Sequence, residues 1–112
     1  MENLIITAAC GLKVKEVEFF LKSLRNYYNE KIFFVIGKND LKIKKLLNIY
    51  NCNFLEVSVH RSEIQLKRYH FFLKILEEKE YKNVLFCDSR DIYFQSNPFD
   101  FNYKGSINYF LE

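Results

Sequence analysis

The sequence predicts an α/β fold of the Rossmann-like, three-layer type, with a mainly parallel sheet in the strand order 3-2-1-4. Short, continuously apolar segments alternate with segments of helical periodicity along the 112 residues. Strands that are apolar throughout are typical of a parallel sheet covered by helices on both faces. Right-handed crossovers between such strands build half of a doubly wound sheet. No linker or repeat divides the chain, so residues 1–112 are expected to form a single domain.

Four apolar runs predict the core strands, and a fifth run follows near residue 112. They are rich in Val, Ile, Leu and Phe, as buried strands are. The predicted strands are residues 4–9, residues 32–36, the region of Phe54, Val57 and Val59, Asn83 to Cys87, and Ser106 to Leu111. A further extended piece, Ile92 to Gln95, leads into the turn signal Ser96-Asn97-Pro98.

Three segments of helical periodicity separate these strands. The first helix is expected to end at residues 29–30, and Asn39 or Asp40 is expected to cap the second. The third opens with a capping box at residues 62–65 and runs to about Lys79. Apolar residues lie on opposite faces of this third helix, which predicts burial on more than one side.

Composition excludes several classes of function. The net charge of +3 is mild and no basic block marks a nucleic-acid surface. No stretch is long and apolar enough for a membrane span, and no signal peptide is visible, so the expected location is cytoplasmic. Three widely spaced cysteines indicate neither a disulfide framework nor a structural zinc site.

The strongest functional signal follows the fourth strand, where Asp88-Ser89-Arg90-Asp91 stand at the edge at which such sheets bind ligands. Carboxylate oxygens are preferred ligands of Mg²⁺ and Mn²⁺, which proteins often share with substrate phosphates. A cation between Asp88 and Asp91 would also reduce their repulsion of a diphosphate. The alternative interpretation is that Asp88 caps a turn while Arg90 and Asp91 pair on the surface.

A second signal is Arg68, which stands on an otherwise apolar face of the third helix. Its guanidinium stays charged and needs an acceptor, which Asp88, Asp91 or a nucleotide phosphate can supply. A purely structural Arg–Asp bridge is the alternative. Thr7 and Ala8 end the first strand, where contact with a nucleotide base or ribose is geometrically reasonable, although Thr7 also suits a plain strand position.

The segment from Asn83 to Phe99 resembles a segment of a group of GT-A-fold glycosyltransferases. There a strand leads into an Asp-x-Arg-Asp element and a Phe-Gln-x-x-Pro-Phe tail. Arg68-Tyr69 and the opening Ile-Ile-Thr-Ala-Ala strand also fit that group. The resemblance implies a nucleotide-diphospho-sugar donor bound with Mn²⁺ or Mg²⁺. It implies donor-binding roles for Thr7, Ala8, Arg68, Asp88 and Arg90, and metal-binding roles for Asp88 and Asp91.

GT-A domains carry their acceptor cleft and any catalytic base in a second half, which the resemblance does not cover here. The chain is therefore expected to be truncated, to self-associate, or to need a missing second half, and no catalytic residue or glycan or protein acceptor is assigned. The rival hypothesis is a non-catalytic α/β remnant that acts in assembly or regulation. Phospho-receiver and haloacid-dehalogenase-type folds fit less well, because their acidic pairs usually follow the first strand, where Thr7 to Cys10 stand.

Overall fold

The computed structural model describes residues 2–58, 64–90 and 92–100. Within them the chain forms, in order, β1 (Leu4–Ala8), α1 (Val14–Arg25), β2 (Lys31–Gly37), α2 (Leu41–Ile49), β3 (Asn53–Val57), α3 (Ile64–Glu77) and β4 (Val84–Phe86). The strands lie in the order β3-β2-β1-β4, and their pairings are parallel. The predicted fold class and strand order are confirmed.

The sheet separates two apolar clusters, because successive side chains of a strand point to opposite faces. On one face, Phe20 of α1 packs among Ile5 and Phe34, together with residues of α2. On the other, α3 places Phe72 and Ile75 against alternate residues of β1 and β2. Burial of an apolar side chain of this size contributes about 2 kcal/mol, so both helix layers hold the sheet in place.

The path of the chain creates a reversal between β1 and β4. From β1 the chain steps outward through α1, β2 and α2 to β3, and α3 then carries it back across the sheet to the other side of β1. Because crossovers are right-handed, this return places α3 on the face opposite to α1 and α2. The carboxyl ends of β1 and β4 therefore form the topological switch point of the sheet.

Two helix termini show how local chemistry sets the element bounds. Asp40 caps α2, because its carboxylate accepts the N–H of Ile43 at 3.3 Å, as predicted. The prediction that α1 ends at residues 29–30 is wrong, since the helix ends at Arg25. The Arg25 side chain donates hydrogen bonds to the carbonyl oxygens of Tyr28 and Glu30, which holds the chain in a turn after Arg25.

Two residues on the predicted second buried face of the third helix are exposed. Phe72 and Ile75 are buried, whereas Tyr69 and Leu73 are each 56% exposed. The predicted burial of a second face is therefore wrong for these two residues. The helix ends at Glu77, just before the predicted end. No helix in the described ranges is long and apolar enough to cross a membrane.

Three predictions about secondary structure fall outside the described residues: Val59 as a strand residue, the capping of α3 at residues 62–63, and the strand Ser106 to Leu111.

Candidate functional site

The loop after β4 lies at the switch point, above the ends of β1 and β4. Cys87 still pairs with β1, since its N–H donates to the carbonyl oxygen of Ile6 at 3.2 Å. Two residues later, the buried Ser89 donates its hydroxyl to the carbonyl oxygen of Ala8 at 2.8 Å. This bond joins the ends of two adjacent strands and fixes the loop beside the crevice in which doubly wound sheets bind ligands.

Asp88 extends from this loop toward α3. Phe86 stacks against Phe72 of α3 with ring centroids 5.5 Å apart, and the alternation of side chains puts Asp88 on the same face. There Nη1 of Arg68 donates to Oδ1 of Asp88 at 2.8 Å. The prediction that Asp88 can supply the acceptor for Arg68 is confirmed.

This ion pair is accessible to solvent, and its arginine stays charged. The Arg68 side chain is 22% exposed and that of Asp88 is 64% exposed. Burial acts to lower the pKa of Arg68, but the hydrogen bonds to Asp88 and Tyr69 outweigh it and raise the pKa above the ordinary value. Exposed ion pairs contribute less than about 1 kcal/mol to stability. Exchanging one partner for a ligand therefore costs the fold little.

Arg90 points to the opposite side of the loop. Its Nε lies 3.6 Å from Oε2 of Glu16 in the first turn of α1, a distance that allows an ion pair but is too long for a hydrogen bond. That Oε2 atom is buried and accepts no hydrogen bond from the residues that the structure describes. The loop thus contacts α3 through Asp88, β1 through Ser89 and α1 through Arg90.

Thr7 and Ala8 end β1 but differ in access. Thr7 is fully buried, and its Oγ1 has no hydrogen-bond partner among the described residues. Ala8 is half-buried, and its carbonyl oxygen is held by Ser89. Of the two predicted nucleoside contacts, Ala8 is thus partly accessible at the end of β1, whereas the Thr7 side chain is covered.

The predicted metal ligands are Asp88 and Asp91, of which Asp91 lies outside the described residues. Within the described part of the chain, no group of three or more His, Cys, Asp or Glu residues comes together as a metal site. Burial, with a smaller effect of the Asp88 charge, raises the pKa of the Cys87 thiol to about 12. This thiol is therefore protonated at neutral pH, and Asp88 supplies the carboxylate of the described part of the loop.

Residues 92–100 anchor the loop on α1. The Phe94 N–H donates to Oγ of Ser23 at 3.1 Å, and its ring meets Phe20 edge-on at 5.5 Å between centroids. Farther along, the Phe99 ring lies 5.5 Å from that of Tyr28. The Phe-Gln-x-x-Pro-Phe tail thus holds the loop against α1.

Three contacts of the site were not predicted from the sequence. Ser89 bonds to the main chain of β1, Glu16 approaches Arg90, and the Tyr69 hydroxyl accepts from Nη2 of Arg68 at 3.1 Å. A serine or glutamate carries no local signal of a partner so distant in sequence. Tyr69 lies on the second face of α3, for which burial was predicted, and it is 56% exposed.

No family model and no curated protein matches this sequence. Among solved structures, the chain is similar to that of 4-diphosphocytidyl-2C-methyl-D-erythritol synthase, with a TM-score of 0.58 and 13% identity. The match covers 79% of this chain and 46% of the synthase chain, so this protein spans about half the length of the structure it matches. At this identity the likeness shows the shared α/β fold.

Proposed function

We propose that this chain is the donor-binding portion of a glycosyltransferase, which binds a nucleotide-diphospho-sugar through a divalent cation. The observation that carries the proposal is the accessible Arg68–Asp88 pair at the switch point of the sheet. The resemblance of residues 83–99 to GT-A glycosyltransferases supports it. So does a fold shared with an enzyme named for the synthesis of a diphosphocytidyl compound.

Each side chain of the site would have a distinct task. Arg68 offers a planar set of N–H donors that suits a phosphate group. Arg90, on the other side of the loop, would add positive charge near the diphosphate. Ala8 would meet the nucleoside at the end of β1, with Thr7 supporting the strand below it.

Asp88 has the properties that a cation shared with a diphosphate requires. Mg²⁺ and Mn²⁺ in such sites take one or two carboxylates and complete their coordination with phosphate oxygens and water. Asp88 is exposed and only its Oδ1 is engaged by Arg68, so it can serve as one ligand, and Asp91 is the proposed second. When bound, the cation would stabilise the charge that develops on the departing diphosphate.

A glycan or protein acceptor would bind in the second half of a GT-A fold, which the resemblance does not cover. Arg68, Arg90 and Ala8 would then orient the donor for transfer to an acceptor held elsewhere, without themselves exchanging a proton. We propose a cytoplasmic location for this reaction.

The second candidate is a non-catalytic α/β module that acts in assembly or regulation. One observation favours it: Asp88 is already neutralised by Arg68 at 2.8 Å without any ligand. In that case the pair is a structural bridge and the loop has no task in binding phosphate.

Isothermal titration of the chain with UDP and GDP, with and without Mn²⁺, separates the two candidates. For the donor site we expect binding of one nucleotide in Mn²⁺, and an affinity at least about tenfold lower without the metal or in Asp88→Asn. Asp100→Asn is the matched control, because Asp100 is an exposed carboxylate outside the loop, and it should bind like the wild type. Absence of binding by the folded protein in every combination would exclude the donor site and leave the non-catalytic module.

A further inference from the structure

The Tyr69 side chain contacts the guanidinium of Arg68 at the terminal nitrogen that does not bind Asp88. Nη2 of Arg68 donates to the Tyr69 hydroxyl oxygen at 3.1 Å, while Nη1 donates to Asp88 at 2.8 Å. The guanidinium carbon also lies 5.0 Å from the centroid of the Tyr69 ring. Arg68 is thus contacted by both the hydroxyl and the ring of one neighbour.

These two acceptors fix the plane of the guanidinium. Arginine only donates hydrogen bonds, so its orientation depends on acceptors at both ends of the fork. Nε of Arg68 is buried and has no hydrogen-bond partner among the described residues. Within that part of the chain, loss of the Tyr69 hydroxyl would leave Asp88 as the hydrogen-bond acceptor of Arg68, and a single hydrogen bond lets the group pivot.

The Tyr69 ring is itself held in place. It meets the buried Phe72 edge-on with centroids 5.8 Å apart, and Phe86 at 6.4 Å. Aromatic rings in such edge-on arrangements attract each other and resist rotation. Tyr69 is 56% exposed, so its position depends on these ring contacts and not on burial. They hold the hydroxyl at a fixed position beside Arg68.

We propose that Tyr69 is a positioning residue of the donor site, which orients Arg68 for Asp88 and for the donor phosphate. This inference rests on the proposed function for its effect on nucleotide binding. Its effect on the guanidinium itself is independent of any ligand. Tyr69→Phe is the discriminating variant, because it removes the hydroxyl and keeps the ring packed against Phe72 and Phe86.

The first measurement is titration of wild type, Tyr69→Phe and Tyr27→Phe with UDP and GDP in Mn²⁺. We expect Tyr69→Phe to weaken binding by about threefold to tenfold, the effect of one net hydrogen bond, with an unchanged unfolding temperature. Tyr27, a 45% exposed tyrosine that follows the end of α1, is the matched control, and Tyr27→Phe should leave the affinity unchanged. In an Arg68→Lys background, Tyr69→Phe should cause no further loss.

The second measurement is the NMR signal of the Arg68 guanidinium in the absence of nucleotide. Slow rotation of the group in the wild type, and fast rotation in Tyr69→Phe, would support the positioning role even if neither nucleotide binds and the donor site is thereby excluded. Equal rotation in both proteins would overturn it. A loss of affinity in Tyr69→Phe that persists undiminished in the Arg68→Lys background would also overturn it, because Tyr69 would then act without Arg68.

Discussion

At the amino end of the sheet, the guanidinium of Arg25 donates to four backbone carbonyl oxygens, those of Tyr28, Glu30, Tyr50 and Asn51, at 2.7–3.1 Å. At the carboxyl end, Arg68 binds two side chains, and its buried Nε has no hydrogen-bond partner in the part of the chain that the structure describes. The first arginine joins the turn after α1 to the turn after α2. The second lies at the switch point of the sheet, where its ion pair with Asp88 is accessible.

Other polar groups follow the same division. Near the amino end, Tyr28 donates its hydroxyl to the carbonyl oxygen of Lys31 at 2.7 Å, and Asn3 donates twice to the Glu30 carboxylate at 3.0 Å. Three buried side-chain polar atoms lack a hydrogen-bond partner in the described residues: Oγ1 of Thr7, Oε2 of Glu16 and Nε of Arg68. These three residues lie at or near the carboxyl edge.

This difference indicates that hydrogen bonds of polar side chains stabilise the amino end of the sheet more than the carboxyl end. Unsatisfied buried polar groups cost free energy, and they concentrate at sites that ligands complete. At the amino end, charged hydrogen bonds from Arg25 stabilise the turns. That stability offsets the cost of the buried polar atoms at the carboxyl end that lack hydrogen-bond partners among the described residues. An open groove at the amino end, lined by Arg25, Tyr50 and Asn51 among other residues, is the competing location for a ligand.

The largest expected effect is on stability, when the four hydrogen bonds from Arg25 to carbonyl oxygens are removed. We expect Arg25→Ala to lower the free energy of unfolding by about 3 kcal/mol, because it removes hydrogen bonds from a charged donor and leaves carbonyl oxygens unsatisfied. Urea denaturation measures this change. Nucleotide affinity should be unchanged in the fraction that stays folded.

Lys22→Ala is the control for Arg25→Ala, since it removes a basic residue of α1 whose side chain is 64% exposed, and it should leave stability unchanged. Equal stability of Arg25→Ala and the wild type would contradict the role assigned to the amino end.

A smaller effect of opposite sign is expected at the carboxyl end. Thr7→Val keeps the shape of the side chain and removes a buried hydroxyl that has no hydrogen-bond partner among the described residues. It should therefore raise the free energy of unfolding by about 1 kcal/mol. The same denaturation experiment measures it. Destabilisation would mean that the hydroxyl is hydrogen-bonded in solution, and the contrast between the two ends would be weaker than described.

Much of the fold was predictable because periodicity and apolar content decide it. The continuous runs at residues 4–9 and 32–36 gave buried parallel strands, and the handedness of crossovers then fixed the order of the sheet. The end of α1 was not predictable. It depends on Arg25 reaching main-chain atoms as far away as Tyr50 and Asn51, which helical periodicity does not register.

The candidate site was predictable where charge demands a partner. A guanidinium on an apolar helix face must find an acceptor, and Asp88 at the end of the next strand supplies it. Ser89 and Tyr69 were missed because neutral hydroxyls carry no such demand in the sequence. Their partners, Ala8 and Arg68, become visible only when the strand ends and α3 are placed in space.

The central claim is that ligand binding belongs to the carboxyl end of the sheet. Amide ¹H–¹⁵N spectra of the labelled chain, titrated with UDP and Mg²⁺ and separately with GDP and Mg²⁺, test it most directly. We predict that the resonances that shift belong to Ala8, Arg68 and residues 88–90, while those of Arg25 and Tyr50 stay in place. Shifts concentrated at Arg25 and Tyr50, or no shifts with either nucleotide, would contradict the account.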